Sequence, residues 1–109
     1  MYYGDFNRGR PIVARGLAPL LPHHEVANFS PRFDWGNGFT PGARQLAVAM
    51  LKEQGLHDED ALLYHESFAK LVLADLGEHK WRLSDADVQQ VLDSLQAQRR
   101  PRYVQKMEP

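Results

Sequence analysis

From Thr40 onward the apolar residues of this chain fall into three runs of helical spacing, and that pattern limits the fold more than any other. The first run is Ala43, Leu46, Ala47, Met50 and Leu51. It is entered through Thr40-Pro41, a hydroxyl at the N-cap followed by a proline whose missing N–H costs nothing at a helix start. Gly55 closes it, as glycine does where the chain needs a left-handed turn. The second run begins near Asp58, where Asp58, Glu59 and Asp60 complement the positive end of a helix dipole. Its stripe is Ala61, Tyr64, Phe68, Leu71 and Val72, and Gly77 is its stop. The third opens at Ser84, with Asp87 three residues on as an approximate capping box and Leu83 and Val88 in the staple positions. Val88, Val91, Leu92 and Leu95 follow, and Pro101 is expected to limit continuation. Val48, Leu62 and Leu73 lie off these stripes, which leaves room for a dimer or a wider core.

Strands are therefore expected only before residue 40. Residues 1–17 read as a hairpin: Tyr2 and Tyr3 favour a strand, Asn7-Arg8-Gly9 supplies the turn, and Ile12-Val13 forms the return. Pro11 cannot donate to a ladder, so the return strand starts there or lies on an edge. Residues 18–32 contain three prolines and no sustained period, hence an irregular connection whose Leu20 and Leu21, with Leu17 before them, dip into the core. Phe33 to Trp35 reads as a third strand. The expected class is α+β: a small N-terminal antiparallel sheet of two or three strands packed with three C-terminal helices.

At 109 residues the chain has the length of one domain. The reading is a single domain over residues 1–98 and a basic, flexible tail over 99–109. In that tail Arg99, Arg100, Arg102 and Lys106 face only Glu108, while the preceding residues carry nine cations against thirteen anions. A basic tail on an acidic body can contact nucleic acid or another acidic surface. No apolar run is long enough to span a bilayer, and MYYGDFNRGR contains no hydrophobic signal region. Cysteine is absent, which excludes disulfides, thiolate catalysis and cysteine-based zinc sites. A cytoplasmic location is the resulting expectation, with no membrane partner.

The stretch FDWGNGFTPGARQLAVAML poses the sharpest chemical question. Gly36, Gly38 and Gly42 approach the spacing of a dinucleotide-binding loop. Such a loop works between a strand and a helix that leads to a second parallel strand, and here another helix follows Gly55. Gly36 and Gly38 are therefore expected to take positive φ in a tight turn. Backbone N–H groups at this helix start can receive an anion, a generic property of helix ends.

Other candidates are weaker. His23-His24-Glu25 contains ligand types, but adjacent residues rarely aim at one ion, and His57 and His65 lie two helical turns apart. His79 falls in a turn. Each histidine is read as a surface or packing residue, and no metal or cofactor is expected. Ser30, Ser67, Ser84 and Ser94 lie in no nucleophile elbow, and Asp34 has no nameable carboxylate partner. Trp35 and Trp81 read as plugs at the sheet–helix junction. Phe39, with Asn37 in the same loop, is the better candidate for an exposed partner contact.

The segment NFSPRFDWGNGFTPGARQLAVAML resembles the signature of small proteins grouped as domain of unknown function family 6166. There a Ser-Pro precedes an aromatic-acidic-Trp-Gly turn that leads into a Gln-Leu-Ala helix. LLYHESFAKLVLADLGEHKWRLSDADVQQVL is similar to the family's second half, and YYGDFNRGRPIVARG to its N-terminal hairpin. The resemblance covers residues 2–95 and leaves out the basic tail. It implies a bacterial origin, often in phage, plasmid or integrative-element genes, and it brings no activity and no catalytic residues.

The expected function is accordingly a non-enzymatic interaction protein of a mobile element. It would bind a protein partner and in one concrete version inhibit a bacterial defence system, as anti-CRISPR proteins do. An acidic body suits a groove that normally takes nucleic acid. The alternative is a nucleic-acid-binding accessory acting through Arg99, Arg100, Arg102 and Lys106. A third reading, a small enzyme or metal protein, would use His23, His24 and Glu25.

Overall fold

The fold was analysed in a computed structural model that describes residues 1–77 and 79–107, with side chains as far as residue 98. Strand β1 (Tyr2–Asn7) and strand β2 (Arg10–Arg15) form the expected hairpin in the register Tyr2↔Arg15 to Asn7↔Arg10. Arg8 and Gly9 between them both have positive φ, at 53° and 79°, the geometry of a tight two-residue turn that follows the strands' twist. A two-residue strand, β3 (Ala18–Pro19), pairs with Ala14 and Arg15. Pro11 therefore sits on a stretch of β2 that has β1 as its only ladder partner, and its missing N–H interrupts no ladder.

Helix α1 (Pro41–Glu53) starts as its sequence dictates: the Thr40 hydroxyl accepts the Ala43 N–H at 3.1 Å and donates to Asp34 Oδ1. Helix α2 (Asp58–Leu71) follows, then a single 3₁₀ turn over Leu73–Leu76 that ends at Gly77, φ 67°. Strand β4 (Trp81–Leu83) comes next and leads into helix α3 (Asp85–Met107). The capping box of α3 closes in both directions, with Asp87 N–H donating to Ser84 Oγ at 2.9 Å and Ser84 N–H to Asp87 Oδ2 at 3.2 Å. The helix bounds run past Pro101, where an end was expected; a proline removes one backbone bond and can kink a helix rather than stop it.

The α+β class holds, with one strand more than expected. The sheet has four antiparallel strands in the order β3-β2-β1-β4. The segment Phe33–Trp35 is not a strand; beside it Gly36 forms an isolated bridge with Gly77. Trp35 is used instead as a buried wedge. The missed strand, β4, is three residues long and finds its partner β1 almost eighty residues away, so no local alternation announces it.

All the packing lies on one side of the sheet. Tyr2, Val13 and Leu20 join Trp35, the apolar face of α1 (Ala43, Leu46, Ala47, Ala49, Met50 and Leu51), Phe68, Leu73, Val88, Leu92 and Leu95 in a single core. α1 is buried from Gln45 through Leu51, covered on several sides rather than along one stripe, so Val48 is core. Leu73 is core as well, whereas Leu62 stays exposed. Of the three leucines expected to dip inward from the connection, only Leu20 does; Leu17 and Leu21 are exposed. On α2 the buried set is Ala61, His65, Phe68 and Ala69, and Leu71 faces outward. The shift in phase arises because His65, a polar residue, occupies a core position.

Two polar ties orient the layers. Arg15 crosses the Tyr2 ring at 5.1 Å and donates to the Glu53 carbonyl at 2.6 Å, with Asp85 Oδ2 3.3 Å from its other nitrogen. Lys52 Nζ bonds Leu56 O at 2.9 Å and Asp58 Oδ1 at 2.7 Å, which sets the corner between α1 and α2.

Candidate interaction surface

The glycine loop is built for turning. Gly36 and Gly38 have φ of 72° and 76°, as expected, and each of the three glycines sits where it does for a different reason. Gly36 meets no neighbour within 4 Å of a notional Cβ and serves the turn alone. A Cβ on Gly38 would lie 2.5 Å from the Ala69 carbonyl, so this glycine lets the loop press on α2. A Cβ on Gly42 would lie 2.5 Å from Asp34 Oδ2, so this one admits the carboxylate that braces Thr40. Asp34 thus has a hydroxyl as its partner and supports the helix cap.

Asn37 and Phe39 are both exposed, but they differ in what they have left to offer. Asn37 Oδ1 accepts the Phe39 N–H at 2.8 Å, a side-chain turn that spends the amide oxygen on holding the loop. Phe39 is 64% exposed and stands beneath Lys70 Nζ, 5.6 Å from the ring centre. A shallow groove beside it is lined by Gly38, Phe39, Arg44, Glu66 and Lys70. Arg44 is already engaged there: it stacks 4.1 Å over Phe29, donates Nε–H to His65 Nε2 at 3.2 Å, and reaches Glu66 at 3.5 Å.

The histidines separate by role. His65 is buried, with Nδ1 bonded to the Leu62 carbonyl at 2.6 Å and Phe29 stacked at 5.2 Å, a packing histidine with both ring nitrogens occupied. His23 lies 3.1 Å from Glu25 and 3.4 Å from Glu53. His24 turns away to the Ser30 carbonyl, so the adjacent pair does not converge. Glu25 titrates below the ordinary carboxylate range, chiefly through its own backbone hydrogen bond and then through His23. Among the described residues no group of three or more histidine or acidic side chains is arranged to hold a metal. Trp35 and Trp81 meet edge to face at 5.5 Å, and Phe6 adds a third ring 5.3 Å from Trp35, the expected plugs at the sheet–helix junction.

One further feature was not anticipated from sequence. Among the described residues no helix covers the outer face of the sheet, and alternation along the strands places Tyr3, Asp5, Ile12, Ala14 and Arg82 there. Tyr3 and Ile12 are 41% and 47% exposed, and Leu17 stands fully clear at the β2–β3 turn. Together with Pro19 they line an open groove of about 590 Å³. The available signals were the alternation of Tyr2-Tyr3 and Ile12-Val13, which fixes two faces, and a leucine placed directly after the turn glycine Gly16.

This architecture accompanies a family match. The model of a family of unknown function, DUF6166, matches residues 2–94. The chain belongs to this family. The matched span takes in the whole sheet, α1, α2 and α3 as far as Ser94, so the uncovered face lies wholly within the DUF6166 region. Neither the curated proteins nor the solved structures returned a match. The basic side chains Arg99, Arg100, Arg102 and Lys106 follow the DUF6166 match and lie outside the described residues. No helix among the described residues is long and apolar enough to cross a membrane.

Proposed function

We propose that this DUF6166 protein is a non-enzymatic interaction module that binds a protein partner through the uncovered face of its sheet. The observation that carries the reading is the exposed apolar set Tyr3, Ile12, Leu17 and Pro19, gathered in one groove on the side of the sheet away from the core. Apolar residues gathered in one groove and rimmed by polar ones suit a protein contact better than the same residues scattered singly. The loop of Asn37 and Phe39 is a second, smaller contact in this reading.

In its narrower form the gene belongs to a phage, plasmid or integrative element, and the partner is a component of a bacterial defence system. Small size, the acidic helical side and the family's implied setting support that form. Inhibition assays with purified defence complexes test it.

The direct test of the surface is photo-crosslinking in cells. A benzophenone amino acid at position 12 is expected to give a discrete adduct, and the same probe at Gln90 on α3 is expected to give none. Equal labelling from both positions, or no adduct from position 12, removes the sheet face from the proposal.

A further inference from the structure

We infer that the partner of the sheet face is a different protein presenting an acidic surface with an apolar centre. This rests on the reading of that face as a docking surface and adds the chemistry of what docks. The charges around the groove are its basis. Arg10 and Arg82 share the outward face with Tyr3, as the pairs Asn7↔Arg10 and Tyr3↔Arg82 require. Arg8 projects from the hairpin turn and Lys80 precedes β4, and all four cations are exposed. The anion among them is Asp5, which Lys80 Nζ approaches at 3.6 Å. Among the described residues the outward face and its flanking turns carry these four cations and this one anion, on a body whose first 98 residues carry nine cations and thirteen anions. The rest of that body carries the remaining five cations against twelve anions and is strongly acidic.

Such separation of charge steers an acidic partner to the face and turns it away from the helical side. The centre decides between classes of partner. Ile12, Ala14, Leu17 and Pro19 are aliphatic, and Tyr3 is the one aromatic ring among the groove residues. A nucleic-acid strand is held by successive aromatic platforms. Aliphatic residues ringed by charge instead match the apolar core and polar rim of a protein interface.

The probe is a random linear peptide library displayed on phage and selected on the immobilised full-length chain. Enriched peptides should combine several Asp or Glu residues with an aliphatic or aromatic centre. Their affinity should fall at least about tenfold in Ile12→Glu and again in Arg10→Glu/Arg82→Glu, and should weaken steeply with salt. Circular dichroism of each variant must match the parent, and Arg10→Lys/Arg82→Lys, which keeps the charge, should retain binding. Peptides that depend on Ile12 but are neutral or basic would overturn the acidic partner and leave the docking surface standing. Failure of any enriched peptide to depend on Ile12 would overturn both. Oligothymidylate competing for the same residues would reassign the face to nucleic acid, and a concentration-dependent dimer lost in Ile12→Glu would reassign it to a second copy of this chain.

Discussion

Gln45 Oε1 accepts the backbone N–H of Phe29 at 2.7 Å, and that contact anchors the irregular segment between the sheet and the first helix. The same oxygen takes the Ser30 N–H at 3.3 Å, while Nε2 donates to Pro22 O at 2.7 Å and Ala27 O at 2.9 Å. The side chain is fully buried, and its amide serves two backbone donors and two backbone acceptors that have no ladder to join. Between β3 and α1 the chain carries Pro22 and Pro31 and forms neither helix nor strand, so one glutamine on α1 satisfies part of its backbone from the side.

Replacing this glutamine with leucine is therefore expected to cost more than a typical core change. The volume is nearly kept, but four backbone groups lose their partner, for about 3 kcal/mol after partial relaxation toward water. Gln45→Glu keeps an acceptor for Phe29 and Ser30 yet brings a carboxylate against two carbonyls, and should be worse. Urea unfolding followed by circular dichroism checks both. A loss under about 1 kcal/mol in Gln45→Leu would mean that the segment is held by other contacts.

Gly4 tests the seating of β4. A Cβ on this residue would lie 2.1 Å from Trp81 Nε1 and 2.2 Å from Cε2, so the indole lies flat against a strand that has no side chain there. Gly4→Ala is expected to displace the ring and destabilise the fold by about 1–3 kcal/mol, the usual cost of overpacking. Tryptophan emission should shift to the red together with the thermal midpoint. An unchanged spectrum would place the flexibility in β4 rather than in the indole.

The three helices were legible because each carries its own start signal, and Thr40-Pro41 and Ser84…Asp87 cap as their sequences demand. What sequence missed depends on distant partners. β4 is a strand through Tyr2↔Leu83 and Gly4↔Trp81, and neither Arg82 nor Leu83 signals this locally. Leu71 looked buried because hydrophobic spacing passes over His65, which enters the core once Arg44 and the Leu62 carbonyl satisfy its nitrogens. The candidate surface was half visible: Phe39 is exposed, as its loop suggested. The sheet face stayed hidden because alternation gives two faces and does not say which one the helices cover.

Tyr2 supplies a pH signature. Burial pushes its hydroxyl up from 10.0 to about 12, with Arg15 opposing and Asp85 and Glu53 adding to the rise. The hydroxyl sits 2.7 Å from Gln54 Oε1 in the folded protein, where the neutral form is favoured. A group whose pKa is raised on folding contributes stability that is whole below the unfolded value and lost as pH climbs through the folded one. Stability should therefore decline between pH 10 and 12, by up to about 2–3 kcal/mol from this group. In Tyr2→Phe the decline over that window should be shallower, although the variant starts from lower stability. Parallel slopes for the two proteins, measured by chemical denaturation at each pH, would remove Tyr2 as the cause.

The two sides of the sheet should respond oppositely to substitution. Val13 and Leu20 face the core at 6% and 4% exposure, so Val13→Ala should cost about 2 kcal/mol and Leu20→Ala about 3. Leu17 and Ile12 face water, and Leu17→Glu should move stability by less than about 0.5 kcal/mol. Ile12→Glu should cost less than about 1, the span of strand preference. The outward changes should instead raise solubility, because they break up the apolar groove. Equal destabilisation from Leu17→Glu and Leu20→Ala would mean that Leu17 is packed in solution, and the uncovered face with it.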